Sequence, residues 1–110
     1  MAYYMFQGRY SVESIQAMVQ NPQDREAAAR VLIETLGGKL HSMFFAFGSE
    51  DIVAIIEVPD DKTAAATAMA VAAGGAFSSG ATTKLMTTSE AMEAMGHAQE
   101  AVAKYQPPSG

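Results

Sequence analysis

"FFAFGSEDIVAIIEVPDD", residues 44–61, sets two runs of aromatic and β-branched residues on either side of a Gly48-Ser49-Glu50 break. Such runs around a short polar break read as a β-hairpin, closed by Pro59, which has no N–H to give to a ladder. Asp51 and Glu57 lie inside this apolar hairpin and His41 just ahead of it, so the side of the sheet each occupies bears on function. A three-residue loop with Phe47 opposite Asp51 pairs Phe45 with Val53, Met43 with Ile55 and His41 with Glu57 on one face. The other face is then Leu40, Ser42, Phe44 and Ala46 with Ile52, Ala54, Ile56 and Val58, a bed for helices. The first face is too apolar for water and too polar for an ordinary core, and a closed, partly wet cavity would reconcile the two.

Working outward, residues 2–10 are rich in aromatics and read as a first strand. Ser11 can cap a helix whose stripe is Val12, Ile15 and Val19, ending at Asn21-Pro22, and a second helical segment runs from Asp24 to Gly37-Gly38. After the hairpin, Asp60 or Asp61 caps a helix through about Ala73, and residues 77–87 form a Thr-rich strand. A last helix opens on the capping box Thr87-x-x-Glu90 and lines up Ala91, Met95, Ala98, Val102 and Tyr105. The fold class is therefore α+β, a ferredoxin-like β-α-β-β-α-β pattern with an added C-terminal helix. Residues 1–105 form the single domain, and QPPSG, 106–110, is expected to be a disordered tail.

Taking the first and third strands as parallel neighbours puts Arg9 beside Glu57, with Gln7 and Met5 on the same face and Tyr4, Phe6 and Tyr10 turned toward the helices. The expected polar corner is Arg9, His41 and Glu57, with Asp51 at the far end. Together with Met43 and Phe45 these are the candidate ligand-binding residues.

The 110 residues carry 49% hydrophobic content and a formal net charge of −5, with the basic residues scattered, so nucleic acid is not an expected partner. There is no cysteine, hence no disulfide framework, thiolate nucleophile or thiolate zinc site. The N-terminus lacks a basic start followed by an apolar signal core, and a cytoplasmic location is expected. The uncharged stretch Thr63–Phe77 is shorter than the ~20 apolar residues of a membrane span, so no membrane association is expected. Gly8 and Gly74-Gly75 have no phosphate-loop pattern around them, and no cofactor is expected. Asp51 and Glu57 are six residues apart at ~3.3 Å each, too far to share an ion with His41, so no metal is expected. His97, with Glu90, Glu93 and Glu100 on the last helix, reads as a solvated face.

The chain also resembles a known family. The Tyr10-Ser11 pair, the Asn21-Pro22 break with Arg25, LGGKL at 36–40, FGSEDIVAIIEVPDD at 47–61 and TTKLMT at 82–87 are similar to the GYD-domain proteins of the dimeric α/β-barrel superfamily. The resemblance covers nearly all of the chain to about Thr88. It departs at Glu50, where the family signature has an aromatic residue. It implies a homodimer whose two sheets form a barrel, with higher assembly as an extension, and it brings no biochemical activity with it.

Function is expected to be the binding of a small apolar or aromatic ligand with one polar end in the barrel cavity. One alternative is a cofactor-free monooxygenase or isomerase-like enzyme with His41 as base, oriented by Glu57. Against it, the pair reads more readily as a self-satisfied cross-strand contact, because no nucleophile or oxyanion device accompanies it. The other alternative is a structural oligomer whose cavity is filled by side chains.

Overall fold

The computed structural model describes residues 1–108. Its elements are β1 (Ala2–Tyr10), α1 (Val12–Gln20), α2 (Arg25–Thr35), β2 (Lys39–Phe45), β3 (Ile52–Val58), α3 (Asp61–Ala73), β4 (Phe77–Leu85) and α4 (Thr88–Val102). The four strands form one sheet in the order β2-β3-β1-β4, every neighbouring pair antiparallel. This is the expected ferredoxin-like arrangement with a C-terminal helix added.

Local chemistry sets the boundaries. The side chains of Ser11, Asp24, Asp60 and Thr87 each accept a hydrogen bond from an otherwise orphaned N–H in the first turn of α1, α2, α3 and α4. Thr87 and Glu90 close the full reciprocal box. At the far end of α2, Gly37 adopts φ 80°, a left-handed conformation that side chains disfavour, and the Gly38 N–H returns to the Ile33 carbonyl at 2.9 Å.

The core lies on one face of the sheet. Tyr4, Leu40, Ala54, Ile56 and Val58 from the strands cluster with Ile33 of α2 and Ala64 of α3. Along β3, burial alternates strictly, with Ile52, Ala54, Ile56 and Val58 buried and Val53, Ile55 and Glu57 half-buried. Among the described residues, β1 and β3 bury no side chain on the opposite face.

The sheet departs from the sequence expectation at two points. The first concerns β1 and β3, which are antiparallel: Tyr3 pairs with Glu57 and Gly8 with Ile52. A hairpin between β2 and β3 reverses the chain, so β3 must run against β1, and Arg9 lies at the opposite end of the sheet from Glu57. The second concerns the hairpin register. Phe45 pairs with Ile52 and Phe44 with Val53, and the ladder shifts between Leu40 and Ser42. That bulge puts His41 and Ser42 consecutively on the open side, which turns Met43 and Phe45 toward the helices and Phe44 away from them. Phe47 belongs to the connecting loop and is fully exposed.

The helices α1 and α4 bury none of their residues: Val12 and Val19 of the first and Met92, Met95 and Val102 of the second are all exposed. The radius of gyration is 18.1 Å, against about 13 Å for a compact chain of this length, and the longest dimension is 60 Å. Of the expected tail, 106–108 is exposed and without helix or strand, and 109–110 lies outside the described residues.

Candidate functional site

Between the sheet and the pair α2 and α3 lies a cavity of about 290 Å³. Its existence traces to composition. The residues of the two helices that border it include Ala28, Ala29, Ala70 and Gly74, whose short or absent side chains leave the space unfilled, with Leu32 and Val71 also in its lining. On the sheet side the wall is Phe6, Met43, Ile52, Tyr10 and Phe77.

The aromatic part of that wall is ordered. Tyr10 and Phe77 are stacked with centroids 4.4 Å apart and planes 18° apart, and Phe6 meets Phe77 edge-on at 5.3 Å. Phe45 lies beyond, with its centroid 6.0 Å from Tyr10. Polar groups are few. Thr67 is buried and gives its hydroxyl to the Thr63 carbonyl at 2.9 Å. Burial pushes the Tyr10 hydroxyl pKa up, the Arg25 guanidinium beside it pulls it down, and Asp51 adds a smaller upward push. Arg25, the first residue of α2, thus supplies the cationic end of an otherwise apolar space.

Each sequence-derived candidate has a definite place. His41 Nε2 and Glu57 Oε1 are 2.8 Å apart, on the open face, with side chains 30% and 21% exposed, and the Tyr3 ring lies 5.3 Å from the imidazole. Tyr3, not Arg9, is their companion. Arg9 Nη1 donates to the Ser49 carbonyl at 2.8 Å and steadies the hairpin loop. Asp51 accepts the Tyr10 N–H at 3.0 Å, and its own N–H goes to the Gly8 carbonyl at 2.9 Å, so it ties the same loop to the end of β1. Met43 lines the cavity, and Phe45 flanks its aromatic wall, both on the helix side. The expected corner of Arg9, His41 and Glu57 is therefore two separate places about the length of a strand apart.

A profile of the GYD domain matches residues 4–95. The chain belongs to the GYD-domain family. No curated protein matches it in sequence. Among solved structures it is similar to that of MtbAldR, with a TM-score of 0.54 at 12% identity, covering 78% of this chain and 52% of that one. At that identity the likeness shows the fold, and the GYD chain spans about half the length of that protein.

The GYD match ends inside α4, so the second half of that helix lies beyond the family domain. Among the described residues, no group of three or more His, Asp or Glu side chains is placed to hold a metal ion, and no helix is long and apolar enough to cross a membrane. One further polar cluster stands at the sheet edge. Tyr4 donates its hydroxyl to Asp61, which also receives Lys84 Nζ at 2.9 Å. The Tyr4 hydrogen bond and then Lys84 hold the Asp61 carboxyl below the usual carboxylate range, while the same bond pushes the Tyr4 hydroxyl up. It fixes the start of α3 against β1 and β4.

The cavity residues Arg25, Tyr10, Phe77 and Thr67 escaped the sequence reading as site residues. Their signal was present in a form easily taken for filler: the alanine runs at 27–29 and 64–66 with Ala68 and Ala70, which give helix without volume.

Proposed function

We propose that this GYD-domain chain is a small-molecule-binding protein, acting as a homodimer, that holds an apolar or aromatic ligand with one polar end in the space between the sheet and α2 and α3. The observation that carries the reading is the cavity of about 290 Å³, apolar over most of its wall and cationic at Arg25. Concave, mostly apolar pockets with a few convergent polar groups are the usual form of a ligand site. His41 and Glu57 stand on the other face of the sheet and do not line this space, so binding rather than base catalysis is the reading adopted for it.

The homodimer is supported by the uncovered sheet face. Met5, Val53 and Ile55 lie side by side there, and Phe44 is 67% exposed. Contiguous apolar surface of this kind on a small chain marks an interaction face, and a second copy of the same sheet matches it in shape and polarity.

Native mass spectrometry of gently purified protein tests the binding reading. The wild type is expected to carry a small-molecule adduct, or to take one up from a panel of aromatic and aliphatic acids and alcohols. Ala70→Leu, at an exposed helical position whose side chain would enter the cavity, is expected to lose it while keeping the wild-type circular dichroism. A wild type that binds nothing, or an adduct indifferent to Ala70→Leu, would overturn the reading.

A further inference from the structure

We infer that the ligand of this cavity is an aromatic carboxylate of one or two rings, its ring against the wall of Phe6, Tyr10 and Phe77 and its carboxylate on Arg25. The inference rests on the cavity being a ligand site, and adds to that reading a charge and a shape.

The charge follows from how the neighbouring groups are engaged. The ion pairs among the described residues are Arg30–Glu26, His41–Glu57 and Lys84–Asp61, and Arg25 belongs to none of them. The carboxylates nearest to it in sequence are committed elsewhere. Glu26 is 2.9 Å from Arg30, and Asp24 caps its own helix through the Ala27 N–H at 3.1 Å. Asp51, which faces Tyr10, accepts that residue's backbone N–H. Arg25 donates from Nη1 to Gln23 Oε1 at 2.9 Å and stands beside the Tyr10 hydroxyl, two neutral partners for a guanidinium that can donate five hydrogen bonds. A half-buried guanidinium at the end of an apolar space, with neutral partners only, is matched by an anion. A planar carboxylate fits its fork in two parallel hydrogen bonds.

The shape follows from volume and from the wall. A cavity of ~150 Å³ holds benzene, so about 290 Å³ accommodates roughly a dozen non-hydrogen atoms, the size of a naphthalene ring with a carboxylate. Tyr10 and Phe77 are already stacked on each other, and Phe6 presents to Phe77 at 77°, so the wall offers ring faces and edges together. Flat rings use such a surface by stacking and edge contacts, and Met43 adds a polarisable sulfur. An acyl chain of equal volume makes neither kind of contact and loses more rotamer freedom on binding.

Isothermal titration with three probes separates these elements: naphthoate, the uncharged naphthylmethanol, and decanoate. Naphthoate is expected to bind the wild type most tightly. Arg25→Gln should weaken naphthoate by about tenfold or more, the measure of a lost charge-assisted hydrogen bond, and leave naphthylmethanol within about twofold. Arg25→Lys, which keeps the charge without the fork, should fall between. If naphthoate and naphthylmethanol bind equally and Arg25→Gln changes neither, the anion is refuted while the cavity still binds. If decanoate equals naphthoate, the aromatic ligand is refuted. If no probe binds, and Ala70→Leu leaves all three titrations unchanged, the cavity reading falls and this inference with it. Unchanged circular dichroism in the Arg25 variants distinguishes lost affinity from lost fold.

Discussion

The two faces of the sheet are woven from the same four strands and differ in what happens to them. On the covered face Tyr4, Leu40, Ile56 and Val58 are 3%, 2%, 4% and 0% exposed, close-packed against α2 and α3. On the open face Val53 and Ile55, which alternate along β3 with buried Ile52, Ala54 and Ile56, are only half-buried, and Phe44 stands largely in solvent. Alternation makes the two faces inseparable, since a strand apolar on both sides exports one apolar surface for each one it buries. The covered face is buried within the chain, apart from the cavity that the small side chains of α2 and α3 leave beside it. The open face, like the stripe on α4, is left uncovered by the described residues of the chain itself.

Substitutions on the two faces should therefore behave oppositely. Leu40→Ala removes a side chain 2% exposed from the centre of the cluster, and is expected to cost about 2–5 kcal/mol in urea unfolding. A loss below about 1 kcal/mol would mean that the neighbouring cavity lets the site collapse, and the covered face is looser than its burial implies. Gly38→Ala probes the same face through the backbone. A Cβ there would stand 2.6 Å from the Glu57 carbonyl oxygen and 2.7 Å from Val58 Cγ1, so α2 and β3 must separate, at an expected cost of roughly 1–3 kcal/mol.

Phe44→Glu is the counterpart on the open face. Its effect on the unfolding of the isolated chain should be small, within about 0.5 kcal/mol, because the side chain is already mostly exposed. Its effect on association should be large, since a carboxylate placed in a desolvated sheet-to-sheet interface has no partner. Sedimentation velocity is expected to give a dimer for the wild type and a monomer for the variant. A wild-type monomer at micromolar concentration would leave the open face without the partner proposed for it.

Much of this contrast was legible in the residues, and the part that was not has a physical cause. The caps are local chemistry, each decided within four residues: Ser11 and Thr87 stand where the sequence places them, Asp60 is one of the two residues it offers for α3, and Asp24, the expected start of the second helical segment, is its cap. The faces of β1 and β3 follow from unbroken alternation and were also readable. Those of β2 were not, because a single extra residue at His41 inverts every side chain after it, and nothing about the Leu40-His41-Ser42 triplet announces a bulge. Met43 and Phe45 moved to the helix side for that reason alone. His41 kept its contact with Glu57 despite a wrong register, since the bulge restores on its near side what it shifts on its far side. Arg9 was misplaced by strand direction, a global property, and Arg25 was passed over because a cavity is an absence of side chains and leaves only alanines in the sequence.

The smallest expected effect compares two helices rather than two faces. Both α3 and α4 start with carboxylates held below the usual range: Asp60 by the Thr63 N–H and hydroxyl, and Glu90 by the Thr87 N–H and hydroxyl. A depressed folded-state pKa contributes stability that is fully present above the unfolded value and is lost as pH falls through the folded one, so both helices weaken only in acid, below the ordinary carboxylate range. The readouts should differ. Because α3 contributes Ala64 to the core, loss of the Asp60 cap is coupled to unfolding of the whole domain, whereas α4, with nothing buried, can fray alone. Acid titration of the wild type, followed by circular dichroism and by a tyrosine signal from the sheet, should show helicity falling before the tyrosine environment changes. In Glu90→Gln, whose side chain closes the capping box without ionising, that early step should shrink and the later one stay in place. A single step common to both signals, unmoved by Glu90→Gln, would mean that α4 is packed in solution, and would supply the covering contact that the isolated chain lacks.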